Sequence, residues 1–233
     1  MPPRRRDIRE RLGGTTILHN LSRAGQRLLC LALLAALADH SSAFTIAITA
    51  KNPRAVYLQI GVGTFTGGWY ASGGTPGNNT THNTVSVAVP ATAVGNGAAQ
   101  AMTTDSAVGA SSYDGRAFCS APAQLYVGGF YRRVGNAGGP GGATVTATVP
   151  AALTDTSGDT IPFSQISWTS NGIGDAGAEP FPAGTFVAGG TQSIGTIAKN
   201  QWAESCWSFS YANTTVHPAG TYTGTVLYTL AAP

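Results

Sequence analysis

Charge is scarce in this chain of 233 residues: only 10% of them are Asp, Glu, Lys or Arg, and histidines number four. A chain so poor in titratable groups has few parts from which to assemble acid–base chemistry. It carries no G-x-S-x-G, H-E-x-x-H, phosphate-binding loop or dinucleotide fingerprint. No catalytic residue, cofactor or metal site is therefore assigned, and a non-enzymatic role is expected. Cysteine is also sparse, at three residues, which excludes a multi-bridge disulfide framework and a four-thiolate zinc site. Long apolar runs are absent too. The longest, residues 28–38, is about eleven residues against the roughly 20 that cross a bilayer, so no stable membrane span is expected.

What charge there is falls unevenly. Arg4, Arg5, Arg6, Arg9, Arg11, Arg23 and Arg27 precede the apolar run, which is followed by a polar stretch of small residues ending at Ala43. Basic, apolar and small-residue segments in that order predict a cleaved signal peptide over 1–43 with a long basic n-region, and hence a protein that is secreted, periplasmic or on the cell surface. The triple arginine leaves open whether export uses the general or the twin-arginine route. Beyond Ala43 remain Lys51, Arg54, Arg116, Arg132, Arg133 and Lys199 against Asp105, Asp114, Asp155, Asp159, Asp175, Glu179 and Glu204, a net charge of −1. Six scattered cations cannot build a phosphate-tracking surface, which argues against a nucleic-acid partner.

Residues 44–233 read as one domain rich in Gly, Thr, Ser, Asn and Pro. Its β-branched and aromatic residues come in short runs, the signature of strands and turns. Segments 44–50, 84–89 and 143–149 alternate apolar and hydroxyl side chains, as half-buried strands do. Further strands are predicted over 55–62, 123–131, 161–169, 184–187, 192–197, 205–211 and 221–230. Pro90 and Pro150 should end two ladders, since proline has no amide hydrogen to donate. About ten strands at this spacing predict an all-β, antiparallel sandwich of immunoglobulin-like or jelly-roll-like type.

Cys30 lies in the leader, leaving Cys119 and Cys206, which in an exported chain are expected to form one disulfide. In 205–211, Trp207, Phe209 and Tyr211 share one strand face and Cys206, Ser208 and Ser210 the other; the aromatic face is expected in the core. Trp69 and Trp202 are instead candidates for stacking on a glycan. His82 and His217 sit in turn-rich segments and are read as solvent-facing. The acidic loops 155–159 and 171–179 space oxygen ligands as calcium requires, but Asp and Asn before Gly are equally what tight turns select, and the turn is the reading adopted. Sequons at Asn78, Asn79 and Asn213 matter where the host glycosylates secreted proteins.

The last segment, Pro218-Ala219-Gly220-Thr221-Tyr222-Thr223-Gly224-Thr225-Val226-Leu227-Tyr228-Thr229-Leu230, resembles the closing strand of spore-coat U and archaic chaperone–usher pilin-like domains, where a Pro-x-Gly-x-Tyr turn leads into a long alternating strand. The resemblance implies an incomplete immunoglobulin-like sandwich that is finished by a strand from a neighbouring subunit. Phe44, Ile46 and Ile48 would then be the apolar side chains of a donor strand, and the partners would be further copies of this chain or other fibre subunits. The expected role is a structural or adhesive surface component; the alternative is a secreted carbohydrate-binding, lectin-like module with a glycan as partner.

Overall fold

The computed structural model describes residues 55–68, 81–133 and 141–233. The leader, the candidate donor residues Phe44, Ile46 and Ile48, and Trp69 lie outside the described residues. Within them the chain is all-β: no α-helix occurs, and every ladder between strands is antiparallel. Strand β1 (Ala55–Ile60) turns directly into β2 (Gly63–Gly68). Gly61 makes that turn at φ 56°, and a Cβ there would lie 1.9 Å from the Asn83 side chain, so only glycine fits. Three short strands follow: β3 (Val85–Ser86), β4 (Gln100–Ala101) and β5 (Thr103–Thr104). Next come β6 (Leu125–Arg132), β7 (Ala143–Thr148) and a hairpin of β8 (Ala152–Thr154) and β9 (Thr160–Pro162). A 3-10 turn (Phe163–Gln165) leads to β10 (Ile166–Ser170), then β11 (Gly184–Thr185), β12 (Thr191–Ile197), β13 (Gln201–Tyr211) and β14 (Leu227–Ala231).

The larger sheet runs β11-β10-β13-β6-β1-β2, with β4 on the end of β13; the smaller is β12-β7-β14. They pack as a sandwich. Val127, Ile166, Trp168, Trp207, Phe209 and Tyr211 of the large sheet meet Val145, Ala147, Ile194 and Ile197 of the small one in a single apolar core. The predicted face of β13 is confirmed: Trp207, Phe209 and Tyr211 are all buried. Strand β7 contributes by a period of two: its alternate residues Ala143, Val145 and Ala147 are fully buried.

The outer face of the large sheet is not left to solvent. Residues 105–122 fold over it, and Phe118 and Cys119 pack there on Tyr126 and Cys206 as a second, smaller apolar cluster. The expected bridge closes this flap: Cys119 and Cys206 are joined, with Cα atoms 5.5 Å apart.

Several strand limits differ from the sequence-based ones, for identifiable reasons. The predicted strand 161–169 is broken by the 3-10 turn after Pro162, where the chain leaves the β8–β9 hairpin for the large sheet. Of the alternating segment 84–89 only Val85 and Ser86 form a ladder, and of 221–230 only the part from Leu227 onward. β2 went unread because Gly and Thr fill most of its positions, and β4, β5 and β8 because they are too short to show a period.

Candidate functional site

Two places carry unusual chemistry: a groove beside the core and a polar–aromatic cluster on the outer face.

The groove has a volume of about 1270 Å³. Its floor is the open flank of the core, including Leu58, Ile60, Phe163, Phe186 and Phe209. Val85, Val87 and Val89 line it from one segment, and Val226, Tyr228 and Leu230 from another; all six pack on the core yet stay half-exposed. Among the described residues, 87–89 run past the β3–β5 ladder into Pro90 and pair with no strand, and β14 pairs only with β7. Two alternating segments thus direct apolar side chains into one groove, and among the described residues no strand pairs with 87–89 or with the outer edge of β14. Tyr222 pins its end of the groove by donating its hydroxyl to the Pro218 carbonyl at 2.8 Å, and Thr223 pairs with Thr154.

On the outer face, Glu204 of β13 lies directly across from Gly128 of β6. A Cβ at Gly128 would come within 2.4 Å of the Tyr126 hydroxyl, so the missing side chain is what lets the Tyr126 ring lie along the strand towards Glu204. Glu204 Oε2 accepts from Tyr126 Oη at 2.6 Å, Trp202 Nε1 at 2.8 Å and Ser111 Oγ at 2.9 Å. Ser111 Oγ in turn accepts from the Tyr113 amide at 3.1 Å, and Ser112 N donates to Tyr126 Oη at 3.2 Å. Burial and the Glu204 carboxylate together push the Tyr126 phenol well above its ordinary range. Glu204 is therefore a structural acceptor that fastens the 111–116 loop to the sheet.

That loop sets Tyr113 on Trp202, ring centroids 5.6 Å apart; Trp202 stacks on Tyr57 at 5.6 Å and Tyr57 on Phe130 at 5.8 Å. Trp202, the candidate stacking residue, does face outward, but Tyr113 covers it and is itself 71% exposed. Sequence reasoning missed Tyr113 because a lone aromatic in a Ser/Asp/Gly loop has no periodic signal. Beside this stack opens a second cavity of about 600 Å³, lined also by Asp175, Glu179, Asn200, Gln201 and Glu204. Desolvation, with the Asp175 charge adding to it, raises the Glu179 carboxyl above the usual range, although the Ser205 hydroxyl opposes the shift. A carboxyl whose folded pKa lies above its unfolded one stabilises fully only below the ordinary carboxylate pKa, and that contribution is lost as pH rises through the folded value. Glu179→Gln is thus expected to raise the denaturation midpoint at pH 7. The gain should shrink to nothing below about pH 4, where wild-type Glu179 is protonated in both states. Paired urea titrations at the two pH values check this, and an equal gain at both would contradict it.

Other sequence candidates resolve as follows. His82 is exposed, as expected, whereas His217 is half-buried with its ring 6.2 Å from Tyr222. In the 155–159 loop, Asp155 Oδ1 accepts from the amides of Ser157 and Asp159 at 2.9 and 2.8 Å, making it the acceptor of a turn. Asn213 is not a surface sequon. It is 1% exposed at φ 54°, accepts from the Gly95 amide at 2.8 Å and donates to the Ala93 carbonyl at 2.7 Å. Asn78 and Asn79 lie outside the described residues. Among the described residues no helix is long and apolar enough to cross a membrane. Comparison with family models, curated proteins and solved structures finds no match to any of them.

Proposed function

We propose that this chain is an exported, non-enzymatic structural or adhesive subunit of the cell exterior that receives a β-strand from another subunit in its groove. The observation that carries this reading is the pairing of half-exposed apolar side chains on 84–89 and 226–230 with main-chain edges that face no strand among the described residues. An added strand would bury those side chains and complete the hydrogen bonds at once, which is how extended segments gain both affinity and register. The occupant is the segment 44–50 of a second copy. Its Phe44, Ile46 and Ile48 fall two residues apart, the period needed to set all three on one face. The disulfide agrees with an oxidising destination outside the cytoplasm. The acidic groups agree with a passive role, since Glu204 and Asp155 already serve as acceptors for the fold.

The test is sedimentation of protein recovered from the exported fraction. Wild type is expected to form a ladder of oligomers; Ile46→Asp combined with Ile48→Asp, which puts two charges on the apolar face of the donor segment, should give monomers. A synthetic peptide of residues 44–50 added to those monomers should raise their melting midpoint. At about 100 times its dissociation constant the gain is about 2.7 kcal/mol, or roughly 5 to 10 °C for a domain of this size. A wild-type monomer that ignores the peptide would overturn the proposal.

A further inference from the structure

Independently of the groove, we propose that the outer face of the large sheet binds a saccharide, with one pyranose ring laid on Tyr113 and its hydroxyls directed to the carboxylates and amides of the adjoining cavity.

The argument begins with the aromatic stack. Tyr57, Trp202 and Tyr113 lie nearly parallel, with interplanar angles of 26° and 30°, and the series ends at Tyr113, a residue 71% exposed. An exposed aromatic ring held flat is costly to leave in water and gains by covering with another apolar face. Parallel rings offer a single face. They do not form the walled box that recognises a methylated ammonium, where several faces surround one cation. A flat ligand with an apolar side and a polar rim fits, and the CH face of a pyranose with its hydroxyl edge is that shape.

The rim is present. Asp175, Glu179, Glu204, Asn200 and Gln201 line the cavity next to Tyr113, offering acceptors from the carboxylates and both donors and acceptors from the amides. The Oε2 of Glu179 is buried and has no hydrogen-bond partner among the described residues, a cost that a ligand hydroxyl would remove. The three bonds that Glu204 accepts from Ser111, Tyr126 and Trp202 all fall on Oε2. A cavity of about 600 Å³ falls within the range that holds small organic ligands. The platform is also set in advance. The 111–116 loop is fastened through Ser111 to Glu204, through Ser112 Oγ to Gln59 at 2.6 Å and by the Gly115-to-Ser111 backbone bond at 2.9 Å, so little ordering is left for binding to supply.

The experiment uses the folded exported protein carrying Ile46→Asp and Ile48→Asp, so that failure of strand exchange and failure of saccharide binding are read apart. Tryptophan fluorescence is titrated with trisaccharides of glucose, galactose, mannose and N-acetylglucosamine. At least one is expected to bind with a dissociation constant in the micromolar to millimolar range. Tyr113→Ala should weaken that binding tenfold or more while the melting midpoint stays within about 2 °C, because an exposed side chain contributes little to the core. Asp175→Asn should also weaken it without changing the fold. The proposal is overturned if none of the four trisaccharides binds, if binding survives Tyr113→Ala unchanged, or if a lysine-rich peptide displaces the sugar at lower concentration.

Discussion

Trp207→Ala is expected to remove about 3–5 kcal/mol of stability, the usual cost of truncating a large buried aromatic side chain to alanine. Trp207 is fully buried, with its ring 5.2 Å from Trp168, 6.1 Å from Phe209 and 6.1 Å from Tyr228. It joins the two sheets, since Tyr228 belongs to the small one and the others to the large. Its indole also donates to the Phe181 carbonyl at 3.1 Å, but Ser170 Oγ donates to that same oxygen at 2.7 Å. The carbonyl therefore keeps a partner in the variant, and the loss is chiefly one of packing. Domains are stable by only about 5–15 kcal/mol, so the loss is about a fifth of the total or more and should lower the melting midpoint by roughly 10 °C. Trp207→Phe, which refills much of the space, should recover over half of it. Denaturant unfolding of both variants decides the matter, and a loss under 1 kcal/mol for alanine would mean that the ring does not hold the sheets together.

The second large effect belongs to the bridge. Cys119 and Cys206 are 87 residues apart, and closing a loop of that length constrains the unfolded chain by about 4–5 kcal/mol on the entropic account. Cys119→Ala with Cys206→Ala should forfeit most of this. The damage should not be spread evenly. The bridge fixes residues 105–122 to the outer face, where the apolar cluster beneath them is only Phe118, Cys119, Tyr126 and Cys206 with Val108 against it. Hydrogen exchange in that flap should accelerate by more than tenfold, while β7 and β12 slow or hasten only with global stability. In the native protein both cysteines are buried, at 5% and 0% exposure, so a mild thiol reductant should leave the bridge intact until the domain is unfolded. Uniform loosening of all strands in the double variant would show that the flap is not a separate unit.

How much of this was legible beforehand depends on what alternation reports. Trp207, Phe209 and Tyr211 could be assigned to the core because period two says which side chains face away from water. The same signal in 84–89 and 221–230 was read as two ordinary strands. It gave the right face, since Val85, Val87, Tyr228 and Leu230 do turn inward, but it is silent on whether a neighbouring main chain exists to pair with. The groove is the difference between those two quantities. On the outer face, Trp202 was visible as an aromatic on the Cys206 side of β13, whereas Tyr113 and the Glu204 network were not. They depend on a flap brought over the sheet by a contact 87 residues away in sequence, and no local pattern encodes it. Asn213 misled for a simpler reason: a three-residue sequon carries no information about burial.

That buried asparagine bears on how the protein can be made. Oligosaccharide transfer in a eukaryotic secretory pathway acts on chains before they fold, when Asn213-Thr214-Thr215 is open. A glycan attached there would take the amide nitrogen that must reach the Ala93 and Ala98 carbonyls at 2.7 and 3.3 Å, and would have to fit where the side chain has no room. Folding and modification would compete for one atom. A bacterial periplasm avoids the contest; a mammalian or yeast host would need Thr215→Ala, at an exposed position, to deliver the same domain.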